Sequence, residues 1–355
     1  MFAYVLRRLG LSVVLLAVVV LATFLLHHAL PGDPAAAVLG KQYTQAAAFE
    51  MRERLGLNDP LPWQFLHYVE AVVAGDLGRS HVSNQLVTRE LARVLPATLE
   101  LSVAALLVAS FVGVGLGVFT ATRPRTWWDV AGLTAALAGV SLPIFWLGFL
   151  ALQGVGEGGL LAHATGLRGL PLGGRFSPAE YSLGPWLESH EGATGFLLWD
   201  TLFVARDPQV FLHVAKHLLL PTLVLSTVPM SVIARITRAS VGEALLQDYV
   251  RTARAKGLPA RTVVLRHALR NAAIPVVTSI GTQLGYLLGG AVLTETIFQW
   301  PGMGTYVVQA ILNLDVKPLQ ACVLVVAVGF VFVNLIVDVS YAALDPRIRA
   351  GGGGA

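Results

Sequence analysis

The sequence is poor in charge. Only 13% of its 355 residues are Asp, Glu, Lys or Arg, against roughly 25% in a soluble globular protein. Half the usual polar coat is missing, which excludes the string of soluble domains that this length would otherwise suggest. Disorder is excluded on the same ground, because it needs low hydrophobicity and high charge, whereas 55% of these residues are hydrophobic. Cysteine is nearly absent. Cys322 stands alone, so neither an intramolecular disulfide nor a cysteine metal cluster is expected. Lysine is scarce as well: 21 of the 25 basic residues are Arg, a compositional bias. No Gly-x-x-x-x-Gly-Lys-Ser/Thr phosphate loop, His-Glu-x-x-His zinc motif or Gly-x-Ser-x-Gly elbow occurs, so nothing points to ATP binding, metal binding or catalysis by this chain. The expectation is a non-catalytic protein with no cofactor of its own.

What the sequence does have is long apolar runs, and its mean hydropathy is +0.67. A bilayer core of about 30 Å takes about 20 helical residues to cross. Six runs approach or exceed that length: Leu9–Leu30, Leu99–Ala121, Val130–Gln153, Leu218–Ala234, Ile274–Thr294 and Leu319–Tyr341. None alternates with the period of two of a membrane β-strand, and backbone groups in lipid must be satisfied internally, so the runs are predicted helices. The fold class is all-α integral membrane. Arg7 and Arg8 before the first run give it a signal-peptide look, but it exceeds the 7–15 residue core of a signal, and a retained helix is expected.

Charge sets the orientation. With the N-terminus inside, segments 1–8, 122–129, 235–273 and 342–355 hold 14 basic residues and four acids in 69 positions; the other side, 31–98, 154–217 and 295–318, holds 11 and 15 in 156. Both termini are therefore expected on the cytoplasmic side. The chain divides into an N-terminal segment with its helix (1–30), an outer loop region (31–98) and a core (99–355) with a long outer loop at 154–217 and a basic inner loop at 235–273. Within the outer loop, Gly195–Ala205 is apolar but only 11 residues long, too short to span, and reads as an interfacial or re-entrant piece. The Gly-, Pro-, Glu- and Ser-rich stretch before it, from Gly154, carries no pattern of regular structure, and the tail Gly351–Ala355 is a flexible end.

The basic inner loop is the most informative segment. Ser240-Val-Gly-Glu243 has the pattern of a capping box, predicting a helix through Leu245, Leu246, Tyr249, Val250 and Ala253 with Arg251 and Arg254 on other faces. Gly257 suits its end and Pro259 cannot prolong it; Pro259 suits instead the first turn of a second helix carrying Arg261, Arg266 and Arg270. A helix–glycine–helix element anchored at both ends by membrane helices has the form of a lever. On charge alone, it is a basic loop obeying the positive-inside rule.

Elsewhere, Gly281, Gly285 and Gly289 recur every four residues, giving a small-residue face for close helix packing or, in the functional reading, a face along a solute path. Glu100 and Asp338 are acids near the ends of runs, either solvated helix ends or functional intramembrane charges. Glu295 precedes the tight-turn sequence Trp300-Pro-Gly-Met-Gly304, with helix-end solvation or contact with a solute's amino group as its two readings. His27 and His28 are adjacent and face different ways, so no metal site is expected. Pro143, Pro221 and Pro229 are expected to kink their helices.

The order of residues in the inner loop carries a resemblance. Asp248-Tyr-Val-Arg-Thr-Ala-Arg-Ala-Lys-Gly257, then Arg266-His-Ala-Leu-Arg-Asn-Ala272 and Ile274-Pro275, resemble the inner loop of ABC-importer permeases, in particular the dipeptide/oligopeptide (peptide/nickel) family of the first-subunit type. Arg251-Thr-Ala253 stands where the wider superfamily has Glu-Ala-Ala, and His267-Ala-Leu-Arg270 where it has Ile-x-Leu-Pro. Matches recur along the chain: Tyr4-Val-Leu-Arg-Arg8, Leu30-Pro-Gly-Asp-Pro34, Leu55-Gly-Leu57, Gly75-Asp-Leu-Gly78, Leu95-Pro-Ala-Thr-Leu-Glu-Leu101, Ser141-Leu-Pro-Ile-Phe-Trp146, Glu295 to Gly304, Asn334-Leu-Ile-Val-Asp338 and Leu344-Asp-Pro-Arg347. Residues 154–210 do not fit.

The resemblance implies a six-helix permease subunit of a bacterial or archaeal plasma (inner) membrane, half of a path for peptides or peptide-like solutes. It implies a homologous second permease, two ATP-binding subunits that carry ATP and Mg, an extracytoplasmic solute-binding protein, and no nucleic acid. ATPase coupling then falls to Asp248, Tyr249, Arg251, Ala253, Arg254, Ala255, Lys256 and Gly257, and the pathway to Gly281, Gly285, Gly289, Glu295 and Glu100. Related solutes are nickel complexes and glutathione. The reading from another class is a structural or assembly membrane protein whose basic loop binds anionic lipid.

Overall fold

The computed structural model describes residues 2–29, 39, 44–54, 57–166, 169–177 and 194–344. Regular structure among them is helical, apart from two isolated bridges that pair Arg79 with Leu86 and Gly156 with Leu170. The helices are α1 (Phe2–Ala29), α2 (Gln45–Arg54), α3 (Leu61–Val73), α4 (Val87–Ala121), α5 (Trp127–Ser141), α6 (Ile144–Val155), α7 (Leu160–Thr165), α8 (Pro208–Leu245), α9 (Asp248–Ala255), α10 (Ala260–Asn271), α11 (Ala273–Gly290), α12 (Val292–Ile297), α13 (Met303–Leu312) and α14 (Val316–Leu344). Of these, α1, α4, α8 and α14 are each long and apolar enough to cross a membrane, and two bent pairs raise the number to six if each pair is one span.

The first bent pair corrects the expectation of a continuous run at Val130–Gln153. Helices α5 and α6 meet at 103°. Leu142 is held extended (φ −88°, ψ 131°) before Pro143, which starts α6 as its N-cap; a residue before proline is pushed out of the helical region, and proline has no N–H to continue the ladder. Pro221 and Pro229, by contrast, both lie inside α8 without ending it. That helix starts ahead of its apolar run, at Pro208, where Asp207 accepts hydrogen bonds from the backbone N–H groups of Gln209 (2.9 Å) and Val210 (3.2 Å), a side-chain N-cap with proline in the first turn. Likewise α4 begins at Val87, well before Leu99, and carries Pro96 within it.

The centre of the molecule is the crossing of α4 and α8. Ala97, Leu101 and Ala105 pack on Leu218 and Leu225, with Leu287, Ala291 and Trp300 closing the cluster. Lower down, a Cβ on Gly113 or Gly117 would overlap the carbonyl oxygens of Met230 and Ala234, so the small residues let the two backbones meet. On the other side α11 packs on α14, and α14 on α1. Gln320 donates to the Thr23 carbonyl at 2.7 Å, and Arg8 pairs with Asp338 at 3.2 Å. Asp338 is thus an ion-pair partner near the helix end rather than a free solvated acid.

The Gly195–Ala205 piece folds as a helical turn, Leu197–Trp199, that widens into a π-helix at Asp200–Val204. Leu197, Asp200 and Thr201 face inward while Trp199, Leu202, Phe203 and Val204 are exposed. Residues 178–193, the tail, Leu30 to Pro34, most of Leu344 to Arg347 and the side chain of His27 lie outside the described residues.

Candidate functional site

At the basic end of the molecule α8 stops at Leu245, and a separate two-turn helix, α9, follows. The predicted start at Ser240 is corrected. Ser240 and Glu243 lie inside α8, because Val241 and Ala244 are buried against Ala121, Ala268 and Ala272 and keep the long helix running. Tertiary burial overrides the local capping pattern. The break comes at Leu246 and Gln247, and Gln247 is the N-cap of α9.

The other end of α9 is as the sequence predicts. Gly257 sits at φ +75°; its N–H donates to the Arg254 carbonyl (2.9 Å) and the Leu258 N–H donates to the Ala253 carbonyl (3.3 Å). These two bonds form a Schellman closure, which places glycine in the left-handed region. Pro259 then stands at the N-cap of α10 (φ −62°, ψ 144°) rather than in its first turn. Through Val263–Ala268, α10 is π-helical, and it meets α11 at 63°.

Helix α9 is strongly two-faced. Val250 and Ala253 are buried with Val263 of α10 and Leu245 of α8. Asp248, Tyr249, Arg251, Thr252, Arg254, Ala255, Lys256 and Gly257 are exposed. Arg251 reaches Asp248 at 3.4 Å, but both side chains are largely in water, where such a pair contributes little. The exposed face is therefore a basic, solvated surface, rigidly backed by two longer helices.

Behind this lever, the helices are tied together. Arg238 of α8 makes a two-pronged bond to Asp129 of α5, with both contacts at 2.6 Å, and the Arg125 N–H donates to the same carboxylate at 3.1 Å. Asp129 is buried, so the pair is a charge-assisted clamp of the stronger kind. α9 is thus joined by packing to α8, and α8 in turn to α4 and α5.

The opposite end is built around Glu295. Its side chain is fully buried, accepting from the Thr98 hydroxyl (2.7 Å) and the backbone N–H groups of Gly304 (2.7 Å) and Thr305 (3.1 Å). The carboxylate caps the start of α13, where free N–H groups and the helix dipole favour a negative charge. Trp300 donates its indole N–H to the Ala97 carbonyl at 2.9 Å, and Met303 N–H donates to the Thr98 hydroxyl at 2.7 Å. A Cβ on Gly302 would overlap the Glu295 carboxylate, and one on Gly304 would overlap the Val292 backbone. The segment from Glu295 to Gly304 is thus a knot fastening α12 and α13 to α4. Nearby, the phenol of Tyr306 donates to Glu90, and burial together with that carboxylate pushes its pKa up.

These facts place the remaining sequence candidates. Glu295 is a buried cap, its carboxylate held by Thr98, Gly304 and Thr305. Glu100 is buried as well: it accepts from Arg175 and from the Leu198 N–H (2.7 Å), while Arg175 also donates to the Gly195 carbonyl (3.0 Å), so it anchors the long loop to α4. The glycine face of α11 is turned toward α14 of the same chain. A Cβ on Gly281 would overlap Val337, one on Gly285 would overlap Phe330, and Gly289 faces Val326. At Gly281 and Gly285 that face is packed within the chain. Sequence reasoning missed the Asp129–Arg238 clamp and the Arg175 anchor; each joins residues far apart in the chain with no local pattern.

The chain is thus a helical membrane protein with a short basic helix, α9, held out between α8 and α10. The comparisons name the family. Residues 113–350 match the family described as binding-protein-dependent transport system inner membrane component, and residues 1–102 match the N-terminal part of such components. The chain is 41% identical over 349 residues to a dipeptide transport system permease protein of Alkalihalophilus pseudofirmus, covering 98% of this chain and all of that one. It is 42% identical over 350 residues to a di/tripeptide transport system permease protein of Pseudomonas aeruginosa, and 39% over 350 to a glutathione transport system permease protein of Salmonella choleraesuis, each alignment covering 98% of this chain and 99% of the relative. This protein belongs to the family of binding-protein-dependent inner-membrane transport components, as a multi-pass membrane permease.

Proposed function

We propose that this permease takes up short peptides or peptide-like solutes, glutathione among the latter, as one half of a membrane path whose other half is a homologous permease. In this reading the basic end faces the cytoplasm, both bent helix pairs count as spans, and two ATP-binding subunits dock on α9. A solute-binding protein delivers cargo at the Glu295 end. The observation that carries the proposal is α9 itself: a short two-faced helix with a solvated basic surface, closed at Gly257 and continuous by packing with α8 and α10. Solute class is supported by the names of the relatives.

The mechanism follows from the ties described above. Closure of the ATP-binding subunits on ATP moves α9 as a rigid piece, because Val250, Ala253 and Val263 leave it no independent freedom. Helix α8 moves with it, and the Asp129–Arg238 clamp carries α5 along. The Glu295 knot holds the other ends of α4, α12 and α13 together, so the motion becomes a tilt of packed helices rather than a local loosening. Solute enters the cavity opened toward the binding protein, and hydrolysis resets the arrangement. Every chemical step belongs to the ATP-binding subunits.

The test is a reconstituted system with its partner subunits, comparing the wild type with Gly257→Pro and with Arg251→Glu/Arg254→Glu. The expected result is normal membrane insertion and assembly, retained basal ATPase, and loss of binding-protein-stimulated ATPase and uptake. Full stimulated ATPase and uptake in both variants would overturn the proposal. Purification that brings down anionic lipid but neither a sister permease nor ATP-binding chains would favour the lipid-binding assembly role instead.

A further inference from the structure

Helix α11 packs on α14 through Gly281 and Gly285, and its Leu287 joins the central cluster on α4 and α8. Another part of its circumference is open. At about 100° per residue, Pro275, Thr278, Thr282, Tyr286 and Gly289 fall within one arc roughly 80° wide. Thr278 is half-buried and the other four are exposed. Thr282 lies about 14 Å along the helix from Ala273, near the midpoint of a hydrocarbon core of about 30 Å.

The arc has the wrong composition for lipid. α1 exposes Leu11, Val14 and Val18, and α14 exposes Val328, Phe332 and Ile336, as helices facing hydrocarbon do. Among the described residues of α11, the one large exposed apolar side chain is Tyr286, at 58%, and it carries a hydroxyl. Thr278 and Thr282 return their hydroxyls to the helix, donating to the carbonyls of Ile274 (2.7 Å) and Thr278 (2.9 Å). The Tyr286 hydroxyl and the amide of Gln283, half-buried at the edge of the arc, make no hydrogen bond among the described residues. Unlike the Gln320 oxygen, the Gln283 amide is not sealed inside the protein. An unpaired amide and phenol at this depth are costly against hydrocarbon and call for water or a hydrogen-bonding partner.

A close helix–helix contact takes small residues along its whole length, and the phenol of Tyr286, standing out from the arc, holds a second helix off. Water then fills the space beside it. The arc carries no charge, and Gln and Tyr side chains each both donate and accept, which suits neutral amide groups whatever side chains accompany them. Positions four apart on a helix are separated by about 6 Å, close to the roughly 6.6 Å between alternate residues of an extended chain. Resting on the permease reading above, we propose that this arc of α11 lines the solute path, with Gln283 and Tyr286 as the groups that meet the backbone amides of a peptide in transit.

The test uses the complex assembled with its partner subunits in liposomes, with cysteine introduced singly at Thr282, at Tyr286 or, as a lipid-facing control, at Phe332; Cys322 is buried. A charged, water-soluble methanethiosulfonate modifies Thr282→Cys and Tyr286→Cys about tenfold or more faster than Phe332→Cys, because the reactive thiolate needs a polar surrounding. Alanyl-alanine supplied with the binding protein and ATP slows that modification. Gln283→Leu and Tyr286→Phe, which remove the polar groups with little change of shape, each lower dipeptide uptake about threefold to tenfold in complexes that still purify intact. Modification no faster than at Phe332 overturns the proposal. So does modification in the isolated chain that is lost on assembly with the sister permease, which makes the arc a subunit contact. Unchanged uptake in both polar-group variants overturns the roles of Gln283 and Tyr286. A wild-type complex that takes up no dipeptide, with both cysteines still modified, overturns the peptide reading and supports the path.

Discussion

Replacing Glu295 by alanine removes the acceptor for three donors at once: the Thr98 hydroxyl and the N–H groups of Gly304 and Thr305. Hydrogen bonds to a charged group contribute about 1.5–3 kcal/mol each, and buried donors left unpaired lose their solvation without return. Against this, removing a buried carboxylate recovers a desolvation cost of several kcal/mol. The balance is a net loss of about 2–4 kcal/mol, which for a chain of this size corresponds to a fall of roughly 3–5 °C in melting temperature. Glu295→Gln keeps one oxygen but turns an N–H toward other donors, and belongs between the two. Thr98→Val loses a single acceptor–donor bridge and should fall least. The assay is loss of the monodisperse peak on heating the detergent-solubilised protein. The order wild type, Thr98→Val, Glu295→Gln, Glu295→Ala is expected. An alanine variant as stable as the wild type refutes the claim that the carboxylate holds the knot together.

Other predictions rest on separate contacts. Asp129→Asn weakens a clamp whose arginine is one-third exposed, so the expected cost is modest, about 1–2 kcal/mol; stimulated transport should fall more than thermal stability, measured on the same preparation. Gly285→Val forces a branched side chain onto Phe330 and should cost about 1–3 kcal/mol, visible as a lower melting temperature, whereas Gly242→Ala, with open space around its Cβ, should not. Glu100→Ala frees Arg175 and the Leu198 N–H, and limited proteolysis should then cut residues 169–204 faster, with the membrane helices left intact.

The sequence made the apolar runs legible because the bilayer writes a length requirement into composition, and α1, α4, α8 and α14 fall where those runs lie. It also announced the end of α9, since Gly257 is required by a local backbone angle. Helix ends were legible only where the cause was local. Nothing near Ser240 shows that Val241 and Ala244 are covered by α4 and the stretch before α11, so the capping pattern misled. Val130–Gln153 has the composition of one span, and only Pro143 hints at the 103° turn. The roles of acids were the least legible. Glu295 and Glu100 look alike as isolated carboxylates near apolar runs, and what each does is decided by donors up to 197 residues away in the chain. Close packing was one of the two readings of the glycine repeat, and the partner in that packing, α14, is invisible without the fold.

The central claim is that α9 projects from the membrane on the side where ATP-binding subunits work. Cys322, the chain's one cysteine, is buried, so a Tyr249→Cys variant carries a single accessible thiol on the exposed face of α9. Labelling it with a membrane-impermeant maleimide in sealed vesicles of both orientations is the direct measurement. The account predicts labelling in inside-out vesicles, blocked when the ATP-binding subunits are added back, and none in right-side-out ones. Labelling from the right-side-out surface contradicts it.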